Sequence, residues 1–225
     1  MAADSGSLQR EVRLFVYAQL IETSAAPEAA ETAKALGCSV EQAEQAYRAL
    51  ADARMLVLRP GSITIWMAMP FSNIQTPFTV ISGGRAYYAN SAWGAFGIAT
   101  VLNADARIFT TCADCGGAIE RKISGGALSD MRGVVHFPVP ARHWWDDVRV
   151  TSSRILMFGS EDHVDRWCAR EQVARGELLN LDQTWALAKV WYHDRLDPAW
   201  RRPTAEEATA MHASIGLTGD FWSLI

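Results

Sequence analysis

The sequence predicts an α+β protein: an N-terminal three-helix module of winged helix-turn-helix type, followed by a mainly antiparallel β-sheet domain with packed helices. Three observations carry this. Apolar residues recur at helical spacing in three successive segments before residue 53, and a short hairpin pattern closes them. Beyond residue 77, short apolar runs alternate with Gly-Gly and Ser-Gly-Gly turn signals, which is how antiparallel neighbours are joined. A helical pattern from Asn90 to Leu102 interrupts those runs and must pack on the sheet they form. The division that follows is a winged-helix-like module over 1–67, a linker over 68–77, and a second domain over 78–225.

Residues 1–7 read as a flexible tail. From Leu8 to Thr23, Val12, Phe15, Val16, Leu20 and Ile21 mark one helix face. Ser24-Ala-Ala-Pro27 breaks the pattern, Pro27 opens a short helix to Leu36, and Gly37 ends it. Ser39 caps a third helix to Ala53. Met55–Leu58 and Ile63–Met67 flank the turn Arg59-Pro-Gly-Ser62 as a hairpin. After the linker, Phe78–Ser82 and Tyr87-Tyr88 pair across Gly83-Gly84. Strands are expected over Ala106–Thr111, Glu120–Ile123 and Val134–Val139. A helical turn over His143–Asp147 leads into a strand from Val148 to Phe158. Ser160 caps a helix with Glu161 and Asp162 in its first turn. Leu181–Tyr192 is an amphipathic helix, and Thr204 with Glu207 three residues on starts the last one, to Ser214.

The chain has 225 residues, 49% hydrophobic and 20% charged, with a formal net charge of −4. That balance gives no basic face for nucleic acid. Residues 1–60 hold six Lys or Arg against eight Asp or Glu, and Glu41 and Glu44 sit where a recognition helix would meet bases. DNA or protein contact through the helix-turn-helix module is therefore an alternative reading rather than the main one. No apolar run is long enough for a membrane span, no export signal opens the chain, and the four cysteines are unevenly spaced. These features predict a cytoplasmic protein with free thiols and no membrane partner. Eight of nine tryptophans lie after residue 90. Most suit core packing; an aromatic-lined cavity for a small apolar ligand is the sharper reading, with Trp93 its best candidate.

The stretch from Arg85 to Glu120, RAYYANSAWGAFGIATVLNADARIFTTCADCGGAIE, combines a strand end, a helix whose N-cap is Asn90 or Ser91, a strand and a tight Cys112-Ala-Asp-Cys115-Gly turn. Ser91 and Gly94, at i and i+3, share a helix face. The run YYANSAWGAFGI with CADCG resembles the active-site helix of the alkylmercury lyases, the organomercurial lyase family. VRVTSSRILMFGSEDHVDRWC is similar to that family's later catalytic strand, and the resemblance covers most of the chain. It implies a lyase-like fold whose catalytic cysteine, aspartate and second cysteine fall on Ser91, Gly94 and Ser152. Carbon–mercury cleavage, as the resemblance implies it, needs two soft thiolates and a carboxyl group for the proton. Two hydroxyls and a glycine supply neither. The expected function is a small-molecule-binding member of that family that does not cleave carbon–mercury bonds, with Ser91 and Ser152 as catalytic candidates and Trp93, Gly94, Tyr88 and Arg154 as pocket residues. Arg154 faces the same way as Ser152 if both lie on a strand, and would hold a ligand carboxylate or phosphate.

Cys112-x-x-Cys115 suits zinc or another soft metal, with His163 and Cys168 as candidates to complete four ligands. Residual lyase activity through this cysteine pair ranks lowest. Ser91 would need a base to act as a nucleophile, and His136, His143 and Asp146 cannot be brought beside it from sequence. His193, Asp194 and Arg195 read as a solvated helix end.

Overall fold

The structure is a computed structural model and describes residues 5–225. Of the tail expected over 1–7, residues 1–4 lie outside the described residues and Ser5 already opens the first helix, α1 (Ser5–Thr23). Val12, Val16 and Leu20 form its buried stripe. Glu28 and Glu31 build a capping box for α2 (Ala29–Leu36), which ends where Gly37 takes a left-handed φ of 67°. Ser39 Oγ accepts the Gln42 N–H to start α3 (Val40–Asp52). Val40 and Glu41 are exposed at that start.

The hairpin β1 (Val57–Leu58) and β2 (Ile65–Ala68) follows. The expected linker contains a strand, β3 (Phe71–Ser72), which pairs with β2 on one side and with β5 (Arg85–Ala89) on the other. The winged hairpin and the second region therefore share one eight-stranded sheet. β4 (Thr79–Ser82) pairs with β5 and with β6 (Ala106–Thr111); β6 pairs with β7 (Ala118–Ser124), and β7 with the short β8 (Ala127–Leu128). All these pairings are antiparallel. Gly83 and Gly84, at φ 56° and 78°, make the two-residue turn between β4 and β5, a conformation that side chains with a Cβ resist.

A second, three-stranded antiparallel sheet was not foreseen as a unit. It runs β10 (Leu156–Phe158), β9 (Val134–Phe137), β11 (Glu177–Asn180). Residues 177–180 carry no strand expectation in the sequence. Between the sheets lies α4 (Ala92–Leu102), nine of whose residues are buried. A helix apolar on all sides belongs inside, and α4 packs against β4, β5 and α7 (Leu181–Tyr192).

The strand expected over Val148–Phe158 is corrected. Residues Val148–Arg154 form helix α5, and only Leu156–Phe158 are strand. The β-branched Val148, Val150 and Thr151 favour a strand, but Asp147 accepts the backbone N–H groups of Arg149 at 3.2 Å and Val150 at 3.3 Å. That cap satisfies helix-start donors and overrides a weak β preference. A short 3-10 turn at Ala141–His143, α6 (Glu161–Glu171) and α8 (Ala205–Ser214) complete the chain. No described helix is long and apolar enough to cross a membrane.

Candidate functional site

Ser91 caps α4, its Oγ accepting the Gly94 N–H at 2.8 Å. Ser152 reaches the same place from α5: Asn90 Nδ2 donates to Ser152 Oγ at 3.2 Å, while Ala92 N–H bonds Ile155 O at 2.9 Å and locks the two helix ends together. Ser91 and Ser152 are 1% and 5% exposed. Both line a cavity of about 50 Å³ with Asn90 and Trp93. At roughly 10–15 Å³ per water, that space holds about four waters, which suits a small molecule or the head of a larger one.

Gly94 stands behind this group. A Cβ built there overlaps Asn90 Oδ1, so the volume a residue-94 side chain would take is filled by the amide of residue 90. Asn90, weighed in the sequence only as a cap, is the residue that joins the two serines. Its amide carries both donor and acceptor, a signal visible in composition but without direction until the fold turns it inward.

Two expected pocket residues are elsewhere. Arg154 is exposed and Ser152 buried, because two residues on a helix point about 200° apart, whereas on a strand they would share a face. Tyr88 lies on β5 opposite Thr79 and Ser72, away from the cavity. The arginines that line the cavity are Arg54, Arg195 and Arg202. Trp93, Trp144, Trp145, Trp191 and Trp200 form its aromatic wall. Trp93 packs its ring 5.2 Å from Tyr192 and 5.4 Å from Trp144.

Among the described residues no base stands at Ser91. His143 pairs with Asp146 at 2.8 Å on the surface. His136 is buried against Phe158 and Trp167, with Nε2 at 2.6 Å from Arg175 O. Around Ser91 Oγ the polar neighbours are the Gly94 N–H and, at 3.5 Å, Asn90 Oδ1.

The cysteine turn forms a second group. Gly116 N–H bonds Cys112 O at 2.8 Å and Cys112 N–H bonds Gly117 O at 2.8 Å, closing a tight loop. Asp114 reaches out of that loop to Arg166 at 2.9 Å and Arg170 at 2.6 Å, which pins it to α6. Helix α6 presents His163, whose Nδ1 is 3.1 Å from Cys112 Sγ and 3.7 Å from Cys115 Sγ. The three ligand atoms all lie within 4.8 Å of one another and could hold a metal ion. Burial works against a Cys112 thiolate, but the N–H groups of Cys115, Gly159 and Asp114 together with His163 outweigh it and bring the pKa down to about 7. Cys168 does not join: its Sγ lies 3.9 Å from Ala174 O and 4.0 Å from His136 Nε2. His163 and Cys168 are five residues apart on one helix, about 140° around its axis, so they face different sides.

A model of the alkylmercury lyase family, MerB, matches residues 71–193. Among solved structures, the fold is similar to that in "Crystal structure of the mercury-bound form of MerB2", at a TM-score of 0.66 and 21% identity, covering 84% of this chain and 91% of that one. No curated protein matches the sequence. The family match spans more than half of the chain and takes in α4, the cysteine turn, α5 and β10, and on that ground the chain belongs to the alkylmercury lyase family.

Proposed function

We propose that this chain uses the family's cavity to bind a small, partly apolar molecule and does not cleave carbon–mercury bonds with it. The observation that carries the reading is the Asn90 bridge. Where the resemblance sets a cysteine, an aspartate and a cysteine at 91, 94 and 152, this chain has two hydroxyls and an amide that fills the space beside Gly94. Among the described residues that line the cavity there is no cysteine, aspartate or glutamate. Neutral hard oxygens hold mercury poorly, and an amide does not deliver a proton to a leaving carbon.

Two measurements test it. Incubation with phenylmercury should release no benzene above the buffer rate; catalytic release would sink the proposal. Ser91→Cys with Ser152→Cys should take up one mercury per chain beyond what the wild type binds at Cys112 and Cys115, because the two helix ends already meet at the Asn90 amide. Failure of a folded double variant to bind that additional mercury would mean that the two positions do not face a common site. Adding Gly94→Asp requires the Asn90 side chain to rotate away.

A second reading rests on the other group: a soft metal ion, zinc among them, held by Cys112, Cys115 and His163. The donor set fits, since two sulfurs and an imidazole are three of the four ligands such ions take, and Cys115 and His163 reach the surface, where solvent or a substrate atom supplies the fourth. Bound there, the metal would tie the turn to α6, or act as a Lewis acid at the open position. Zinc titration should give close to one ion per chain, lost in Cys115→Ser. A ratio well below one in the wild-type protein rules the site out.

A further inference from the structure

The cavity's charged residues are all of one sign. Arg54 enters from the end of α3, while Arg195 and Arg202 come from the segment between α7 and α8. None of the three has a carboxylate within ion-pair distance among the described residues. They stack on aromatic rings instead: Arg195 lies 4.0 Å from the Trp200 ring centroid, Arg202 4.5 Å and Arg54 5.8 Å from that of Trp145. Arg195 is 4% exposed, and its Nε–H is buried without an acceptor. The indole N–H of Trp93, on the same cavity, also has none. Buried donors normally find an acceptor, and clustered like charges normally find a counter-charge. Both deficits are met by one kind of occupant.

We infer that the cavity recognises a small organic acid, its carboxylate held by Arg54, Arg195 and Arg202 and its apolar body against the tryptophans. A guanidinium fork matches a planar carboxylate, and stacking on an indole fixes the plane of the fork before the ligand arrives. The framework behind the arginines is braced as a binding site would require. Arg13, 2% exposed, donates to Arg195 O at 2.6 Å and Asp197 O at 2.7 Å and stacks 5.3 Å from Trp200. The Tyr17 hydroxyl stands beside the Arg195 guanidinium. Burial first, and then Arg54 and Arg195, bring Arg202 down to a pKa of about 10, which leaves it charged at neutral pH, with the Arg54 carbonyl at 3.5 Å and the Trp145 ring beside it but no carboxylate. The inference rests on the small-molecule reading of the same cavity and adds the ligand's charge.

The test compares benzoate with benzamide, equal in size and differing in charge, by calorimetry and tryptophan fluorescence on the full chain. Benzoate should bind saturably and benzamide at least about tenfold more weakly. Arg54→Gln and Arg202→Gln should each weaken benzoate by about tenfold while leaving benzamide unchanged, and exposed Arg154→Gln should change neither. These positions avoid the buried Arg195, whose replacement would endanger folding. Benzamide binding as tightly as benzoate, or benzoate affinity untouched in both variants, overturns the acid inference and leaves the small-molecule reading standing. Binding of neither compound overturns the acid inference, and the mercury measurements above judge the cavity's ancestry separately.

Discussion

Gly97 lies in the middle of α4, where alanine would ordinarily stabilise a helix by about 1 kcal/mol. Its surroundings reverse that expectation. A Cβ on Gly97 would sit 2.6 Å from Tyr192 Cδ2, 2.7 Å from Tyr192 Cε2 and 2.9 Å from Pro70 Cβ. Carbon atoms rest at about 3.5–4.0 Å, so each contact is too short by roughly 0.6 Å or more. Tyr192 cannot swing aside freely, because it is 1% exposed and packed 5.2 Å from the Trp93 ring. Overpacking of this kind costs about 1–3 kcal/mol. Net of the propensity gain, Gly97→Ala should destabilise by up to about 2 kcal/mol, lowering the melting temperature by up to about 8 °C for a chain of this size. Urea unfolding followed by tryptophan fluorescence reads the free energy directly. A variant more stable than the wild type by the full propensity gain of about 1 kcal/mol, with an unchanged denaturant slope, would show that the α4–α7 contact is loose and that Tyr192 is not held as described.

Three further outcomes are expected. Ser91→Ala removes the oxygen that accepts the Gly94 N–H and should cost about 1 kcal/mol in the same unfolding experiment; no change would mean another group caps α4. His136 and His212 are both fully buried and held below their ordinary pKa of 6.5, by burial first, with their backbone carbonyl bonds pulling the other way. The unfolded chain therefore takes up protons that the folded one refuses, so their contribution is full above pH 6.5 and is lost as pH falls below it. Stability should decline with acid across that range, less steeply in His212→Gln, and an identical slope in the variant would contradict the assignment. Arg13→Met leaves the carbonyls of Arg195 and Asp197 without their donor, and should destabilise by about 2–4 kcal/mol while weakening any benzoate binding. Intact affinity in that variant would detach α1 from the cavity.

Much of the local structure is legible in the chain because it depends on a few neighbouring residues. Ser39, Ser91 and Thr204 cap their helices through donors three residues on, and the Gly83-Gly84 turn sets its hairpin through two backbone angles. The family resemblance is carried by local runs, a dozen residues over a strand end and one helix, the cysteine turn, and a longer run from Val148 to Cys168. The pattern over Val148–Phe158 misleads because β-branched composition and one aspartate cap point to different structures, and only the cap's hydrogen bonds decide between them.

What the sequence alone determined is therefore the fold class and the caps and turns, with two serines and a glycine at positions 91, 152 and 94, where the resemblance sets sulfur and acid. The tertiary structure decided which side chains meet. It set Asn90 between the two serines, removed Arg154 from the cavity in favour of Arg54, Arg195 and Arg202, and separated Cys168 from the cysteine turn. The reason is geometric: a side chain's direction turns by about 100° per residue in a helix and 180° in a strand. A single change of element type therefore reassigns every facing residue, and groups far apart in the chain become neighbours only when sheet, helix and loop have all been set in place.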